Sequence, residues 1–331
     1  MIHIREDLLI EKIKEFYKPH PRIVNGFGDD TIILKEIPTQ NLVFSVDATI
    51  EGRHFYPDIL PYEQVGHRAL AGALSDLAVV GATPLTFIVN LEIPKRFPEN
   101  NVLRIYRGFE ELGKAFCISP SGGNITASER VGLVLTVIGE IPRDRTISRS
   151  HAEPGDKVVV TGDLGRVRTA LNIINRHEIK KKIPSDQLDE ILEKFYKPWP
   201  KINFMKKLLS EVKINASIDI SDGLGADLSR IARASQVEIV IYERKLPFKP
   251  YLRDVARMIG TPLFQLVVGS GEEYEIAFTL NEEEFEKLKR LGYDVTEIGE
   301  VTHSPHVGVR MVKEDGSEVY VDNMGYDHLK G

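Results

Sequence analysis

Acidic side chains carry the first chemical signal in this sequence. Asp29 and Asp30 follow Gly28 in a glycine-rich turn, and Asp47 ends the β-rich run Asn41–Asp47. Asp76 stands among small residues in Ala73-Leu-Ser-Asp-Leu-Ala78, and Asp219 and Asp222 flank Ser221 in Ile218-Asp-Ile-Ser-Asp-Gly223. Magnesium takes hard oxygen ligands, keeps several waters and is shared with substrate phosphates, so carboxylates at strand ends suit it. Each position also has a plainer use: Asp29 and Asp30 as turn formers, Asp222 as a helix N-cap. Asp76 and Asp219 resist that explanation, because an acid in an otherwise apolar element is rarely buried without a partner. As a set, Asp30, Asp47, Asp76, Asp219 and Asp222 point to a site for several magnesium ions.

Phosphate-binding signals are unconventional. Neither a Gly-x-x-x-x-Gly-Lys-Ser/Thr loop nor a Gly-x-Gly-x-x-Gly fingerprint is present. Ser121-Gly-Gly-Asn-Ile-Thr126 and Gly269-Ser-Gly-Glu-Glu-Tyr274 read instead as tight loops where backbone can approach a ligand. Glu272 and Glu273 read equally as a solvated loop pair.

The elements that must position these residues follow from periodicity. Asn41–Asp47, Leu85–Ile93 and Val131–Ile141 are β-rich, while Glu63–Gly81 and Val102–Phe116 have helical spacing. Farther on, Lys157–Gly162, Ala216–Ile220, Phe264–Leu280, Asp294–Val301 and Val307–Val312 read as strands. Gly225–Ser235 and Asn281–Leu291 read as helices, the latter with an acidic first turn that the helix dipole favours. The charged stretch Arg176–Lys201 reads as one helix with exposed connections, and Lys180 to Lys182 as a solvated basic patch. Strands and helices mix without strict alternation. The prediction is two α+β domains, residues 1–150 and 151–331, parted in the turn-rich Arg149–Asp156.

Composition narrows the function classes. At 331 residues, 42% hydrophobic and 28% charged, the chain reads as globular. Forty-three basic against 49 acidic residues give a net charge of −6, which argues against a nucleic-acid partner. Cys117 is the only cysteine, so an intrachain disulfide and a thiolate zinc site are excluded. In Lys114-Ala-Phe-Cys-Ile118 it reads as a buried apolar residue. No apolar run approaches the roughly 20 residues of a membrane span, and the amphipathic N-terminus lacks a signal-peptide core. A cytoplasmic enzyme or small-ligand binder, with no membrane partner, is expected.

Taken in order, Gly28-Asp-Asp-Thr-Ile-Ile-Leu34, Ser45-Val-Asp-Ala-Thr-Ile-Glu-Gly-Arg-His-Phe55, Ala71-Gly-Ala-Leu-Ser-Asp-Leu-Ala78, Asp219-Ile-Ser-Asp-Gly-Leu224, Gly271-Glu-Glu-Tyr-Glu275 and Gly325-Tyr-Asp-His328 resemble the thiamine-monophosphate kinases. The wider superfamily includes aminoimidazole ribonucleotide synthase, selenophosphate synthase and the hydrogenase-maturation protein that dehydrates a carbamoyl group. The resemblance implies an N-terminal sheet domain that forms a homodimer and a C-terminal α+β domain closing a cleft. That cleft would hold ATP, several Mg2+ ions and thiamine monophosphate.

Residue by residue, the resemblance implies Asp30, Asp47, Asp76, Asp219 and Asp222 as metal ligands, with Ser45, Val46 through its backbone carbonyl, and Asn124. Gly123, Asn124, Arg149 and Ser221 are the implied ATP contacts, and His54, Glu272 and Asn323 the implied thiamine-phosphate contacts. Three positions depart from the family pattern: Val46 where threonine is common, Asn124 where aspartate is usual, and Asn323 where an aromatic packs on the substrate. Selenophosphate synthase would need a reactive cysteine near the N-terminus, and the hydrogenase-maturation protein a C-terminal one; this chain has neither. The implied reaction is in-line phosphoryl transfer from ATP to thiamine monophosphate, assisted by metal and without a protein catalytic group. Two alternatives stay open: an ATP-using relative acting on another phosphorylated metabolite, and a nucleotide-binding regulator without turnover.

Overall fold

The computed structural model describes residues 6–25, 31–144 and 147–326. They form two compact units, Met1–Leu77 with Ala82–Arg145, and Ala78–Gly81 with Thr146–Gly331. Each mixes helices with a sheet, so the chain is a two-domain α+β protein.

The first unit contains α1 (Glu6–Ile13), a short ladder of β1 (Ile23–Asn25) with β2 (Ile33–Leu34), β3 (Gln40–Ile50), α2 (Tyr62–Val79), β4 (Thr83–Pro94), α3 (Glu99–Phe116), β5 (Pro120–Ser128) and β6 (Gly132–Pro142). Its main sheet has the order β3-β6-β4-β5. Only the β4–β5 pair is parallel, as a connection through a helix allows. The register decides which side chains share a face: Asp47 aligns with Leu135, Val89 and Gly123, and Ser45 with Val137 and Phe87. That face is covered by helices, with Phe87 against Phe109 of α3 at 5.5 Å. On the other face Leu42, Phe44 and Val46 alternate along β3 at 43%, 58% and 62% exposure. One side of the sheet is therefore core, and the other carries an exposed apolar row along β3.

The helices pack unusually close. A Cβ at Gly66 of α2 would lie 2.0 Å from the Ile105 carbonyl oxygen, and one at Gly108 of α3 would lie 1.9 Å from that of Glu63. Glycine at both points lets the two backbones touch. Arg104 Nε reaches both Glu63 carboxylate oxygens at 2.8 Å across the same seam and holds the Glu63 carboxyl below its usual range.

The second unit contains β7 (Lys157–Thr161), α4 (Arg166–Ile173), α5 (His177–Lys180), α6 (Ser185–Tyr196), α7 (Ile202–Glu211), β8 (Ala216–Asp219), α8 (Leu224–Ser235), β9 (Glu238–Tyr242), α9 (Leu252–Ile259), α10 (Leu263–Val268), β10 (Ile276–Leu280), α11 (Glu282–Leu291), β11 (Val295–Thr302), β12 (Gly308–Val312) and β13 (Glu318–Tyr320). The strand order is β13-β12-β9-β11-β7-β10-β8, with β12 and β9 parallel and the other pairs antiparallel. Helix α8 packs its buried Leu224, Leu228, Ile231 and Ala232 into the core with Ile218, Ile239 and Met311 of the strands.

Four expectations are corrected. Ser121–Thr126 is not a loop but the middle of β5; the glycines read as turn formers let β5 approach β4, where a Cβ at Gly123 would lie 2.0 Å from the Val89 oxygen. Phe264–Val268 is helical; a short apolar run has too little period to separate strand from helix. Arg176–Lys201 is two helices rather than one, with Pro184 starting the second, since proline cannot continue a helix already under way. Cys117 is exposed; it ends α3 in the left-handed conformation at φ +57°.

The α2–α3 seam generates a test. Gly108→Ala should force the helices apart and destabilise the protein by roughly 2 kcal/mol, the usual cost of overpacking. Urea unfolding of wild type and variant measures it, and a difference below about 0.5 kcal/mol would show that the seam can yield.

Candidate active site

In the second unit three sequence-distant segments converge. Strand β8 runs out at Asp219, and the chain passes through Ser221, Asp222 and Gly223 into α8. The segment Gly271–Glu275 lies against it: the Glu272 amide donates to the Ser221 carbonyl at 2.7 Å, the Tyr274 amide to Ile220 at 3.0 Å, and the Ile220 amide to Glu275 at 2.8 Å. From the C-terminal side the Tyr326 amide donates to the Asp222 carbonyl at 2.9 Å. Contact is so close that a Cβ at Gly271 would lie 2.8 Å from the Ser221 oxygen, and one at Gly325 2.9 Å from the Asp222 oxygen. The structure thus gathers the segments carrying Asp219, Ser221, Asp222, Glu272 and Asn323. Asn323 itself is exposed in the turn before Met324.

The loop is set by a residue that the motif reading passed over. Asp227 Oδ2 accepts the backbone N–H groups of Ser221, Asp222 and Gly223 at 3.0, 3.0 and 2.9 Å. Asp222 is therefore not the N-cap; Gly223 holds that position and Asp227, in the first turn, supplies the acceptor. Arg230 bridges the Asp227 and Asp222 carboxylates. Burial pushes the Asp227 carboxyl up to about 6, with the amides and Arg230 pulling the other way. Asp219 and Asp222 are 3% and 9% exposed, so their charge is held in a largely dry setting. The sequence signal for Asp227 was an acid in the first turn of a helix.

In the first unit, Ser45 Oγ donates to Asp76 Oδ2, joining β3 to α2. Asp76 is half-buried where its helical neighbours Ser75 and Leu77 are fully buried. Asp47, two residues beyond Ser45, shares its face, and its Oδ1 accepts the Ala48 amide at 2.7 Å. Val46 points its side chain to the open apolar face. At the end of β3, His54 Nδ1 accepts the Ile50 amide at 3.0 Å. A backbone amide can only donate, so the ring proton sits on Nε2.

Other expected members stand apart. Asn124 aligns with Asn90, Val134 and Ala48, which places it on the open face, opposite to Asp47. Strands β5 and β3 are the two edges of the sheet, three strand spacings or about 14 Å apart. Within one chain Asn124 and Asp47 therefore lie on opposite faces of the two edge strands. Asn124 Nδ2 donates to Asn90 Oδ1 at 2.8 Å. Gly123 keeps the Asp47 face. The Arg149 carbonyl accepts the Ser235 hydroxyl at 3.0 Å, at the end of α8 remote from Ser221, about 18 Å along the helix. Asp30, like Gly28, Asp29 and His328, lies outside the described residues. Glu273 is no solvated partner of Glu272: it is fully buried.

The donors fit magnesium in kind, being carboxylate and hydroxyl oxygens. Among the described residues no three His, Cys, Asp or Glu gather into a metal-holding group. Magnesium needs no such cage, since it is usually held by one or two carboxylates with waters and substrate phosphates completing the shell.

Residues 28–141 match the model of the AIR synthase related protein N-terminal domain, and residues 153–312 that of the C-terminal domain. The chain is 32% identical to thiamine-monophosphate kinase of Pyrococcus horikoshii over 331 residues, covering all of this chain and 98% of that protein. It is 30% identical to the Bacillus subtilis enzyme over 316 residues, covering 94% and 95%. Among solved structures, AaThiL complexed with AMPPCP and TMP superposes with a TM-score of 0.76 at 28% identity, covering 99% of this chain and all of that one. With both halves of the fold matched and the aspartate-bearing segments in place, the chain belongs to the thiamine-monophosphate kinase family of AIR synthase related proteins.

Proposed function

We propose that this kinase transfers the γ-phosphoryl group of ATP to thiamine monophosphate, giving thiamine diphosphate and ADP. The observation that carries the reading is the oxygen-only set Ser45, Asp47 and Asp76. It lies on one face of β3 and α2 and is open enough to exchange water for a cation. A family member holding both AMPPCP and TMP supports ATP as co-substrate and thiamine monophosphate as acceptor.

Asp47 and Asp76 would hold magnesium, with the Ser45 hydroxyl beside them; Asp219 and Asp222 are the second unit's ligands, and Asp30 completes the carboxylates. Bound magnesium would neutralise the phosphates and align acceptor oxygen with phosphorus. The acceptor is itself a phosphate, mostly ionised near neutral pH, so no strong general base is needed. His54, with its proton on Nε2, is suited to donate to a phosphate oxygen, and Glu272 and Asn323 serve the acceptor side. Gly123, Ser221 and Arg149 are proposed nucleotide contacts.

The open face of the first unit supports a homodimer: Leu42, Phe44 and Val46 form an apolar row that a second copy would cover. Asn124 and Asn90 would then be interface residues. No described helix is long and apolar enough to cross a membrane. The enzyme is proposed to act in the cytoplasm.

Incubation with ATP, magnesium and thiamine monophosphate tests the activity. Thiamine diphosphate with stoichiometric ADP is expected; ADP formed only with another acceptor favours a different substrate, and binding without ADP a regulator. Asp47→Asn and Asp76→Asn should each fold normally and lose at least about a hundredfold in magnesium-dependent kcat/KM. Near-normal rates in both would remove these residues from the metal site. For the interface, Phe44→Asp should give monomers in sedimentation velocity at concentrations where wild type is dimeric, and an unchanged dimer would move the contact elsewhere.

A further inference from the structure

The charged stretch that reads as a helix with exposed connections delivers a lysine into the interior of the second unit. Lys194 of α6 is only 10% exposed, and its Nζ donates to Glu275 Oε1 at 2.5 Å. The other Glu275 oxygen accepts the Thr161 hydroxyl at 2.6 Å and meets Lys201 Nζ at 3.0 Å. Glu273 is fully enclosed: its Oε1 accepts the Gly165 amide at 2.8 Å, the Val167 amide at 3.2 Å and the Ser270 hydroxyl at 2.6 Å. Its Oε2 makes no hydrogen bond and faces Lys194 Nζ at 4.0 Å. Two buried carboxylates two residues apart thus share the Lys194 ammonium, with Lys201 adding a second on Glu275 alone; removing Lys194 leaves Glu273 without its facing cation in a dry interior.

The residue between and the residue before them explain why this matters. Glu272 and Tyr274 sit at φ +55° and +50°, a left-handed conformation that side-chain-bearing residues avoid. Such a backbone persists only where its surroundings enforce it. Glu273 and Glu275 are buried among the lysines, whereas Glu272 is only partly buried and its amide joins the Asp219–Gly223 loop.

Taking Glu272 as an acceptor-side residue, as proposed above, we propose that Lys194 is a positioning residue. By holding Glu273 and Glu275 it fixes the left-handed Glu272–Tyr274 backbone and so the direction in which Glu272 is presented. Lys194 touches no substrate; it acts through the two glutamates.

Lys194→Met keeps the length of the side chain and removes the ammonium. In ligand-free protein, hydrogen exchange at the Glu272 and Tyr274 amides should accelerate about tenfold or more, with the β12 amides unchanged. The KM for thiamine monophosphate should rise about tenfold while the KM for ATP holds, and Lys194→Arg should restore most of it. Unchanged exchange at those two amides would overturn the proposal. So would a fall in kcat with both KM values intact, the signature of lost folded enzyme. Should the single variant fail to fold, Lys194→Met with Glu275→Gln removes the uncompensated charge. The same exchange and KM changes are expected there, and wild-type values in it would overturn the role. The exchange measurement uses no substrate, so it decides the positioning role even for an enzyme that forms no thiamine diphosphate.

Discussion

One carboxylate oxygen, Asp227 Oδ2, organises the second unit's functional segments. A chain leaving a strand and entering a helix in a buried place has amides with no ladder or helical partner, and buried amides must be satisfied. Asp227 takes three of them at once. With the Asp219–Gly223 turn held in this way, its carbonyls face outward and become the docking points for the Glu272 and Tyr326 amides. Arg230, shared between Asp227 and Asp222, ties the orientation of a proposed ligand to the residue that holds the loop. Geometry here descends from backbone accounting rather than from contacts among the ligand side chains.

Much of this was legible beforehand, for identifiable reasons. Helix α2 has a strong apolar period, and all of Val65, Ala69, Leu70, Ala73, Leu74 and Leu77 are buried, so Asp76 was correctly set on a helix. Asp219 was placed at a strand end, where β8 stops, whereas Asp47, read as ending its strand, lies three residues inside β3. The failures share a cause. Gly123 looks like a turn former, yet its purpose is strand contact, which depends on the neighbouring strand and is invisible locally. Lys194 and Glu273 look like solvated charges, and only long-range packing reveals that they are buried partners.

The period of two in a strand gives the sharpest lesson about the site. Gly123 and Asn124 are adjacent in sequence, and a motif treats them as one feature. In the sheet they face opposite sides, Gly123 with Asp47 and Asn124 with Val46's apolar row. Two neighbours in a motif are thus presented to two different surroundings. Asn124's bond to Asn90 satisfies it on a face where the apolar row of β3 gives way to Thr126, Thr136 and Glu92 on the neighbouring strands.

Exposure divides the carboxylates into two kinds, and the division has a chemical consequence. Asp47 and Asp76 are partly open, so they can exchange solvent for a hydrated cation at little desolvation cost. Asp219 and Asp222 are nearly enclosed, and a buried carboxylate without compensation is expensive. The structure compensates Asp222 with Arg230, which means that a cation binding there must compete with a guanidinium already in place. Affinity for a hard cation rises with the charge that its ligands contribute, and a carboxylate shared with arginine contributes less. If both pairs bind magnesium as proposed, the open pair on β3 and α2 is the less costly capture site and the enclosed pair the more strictly oriented one.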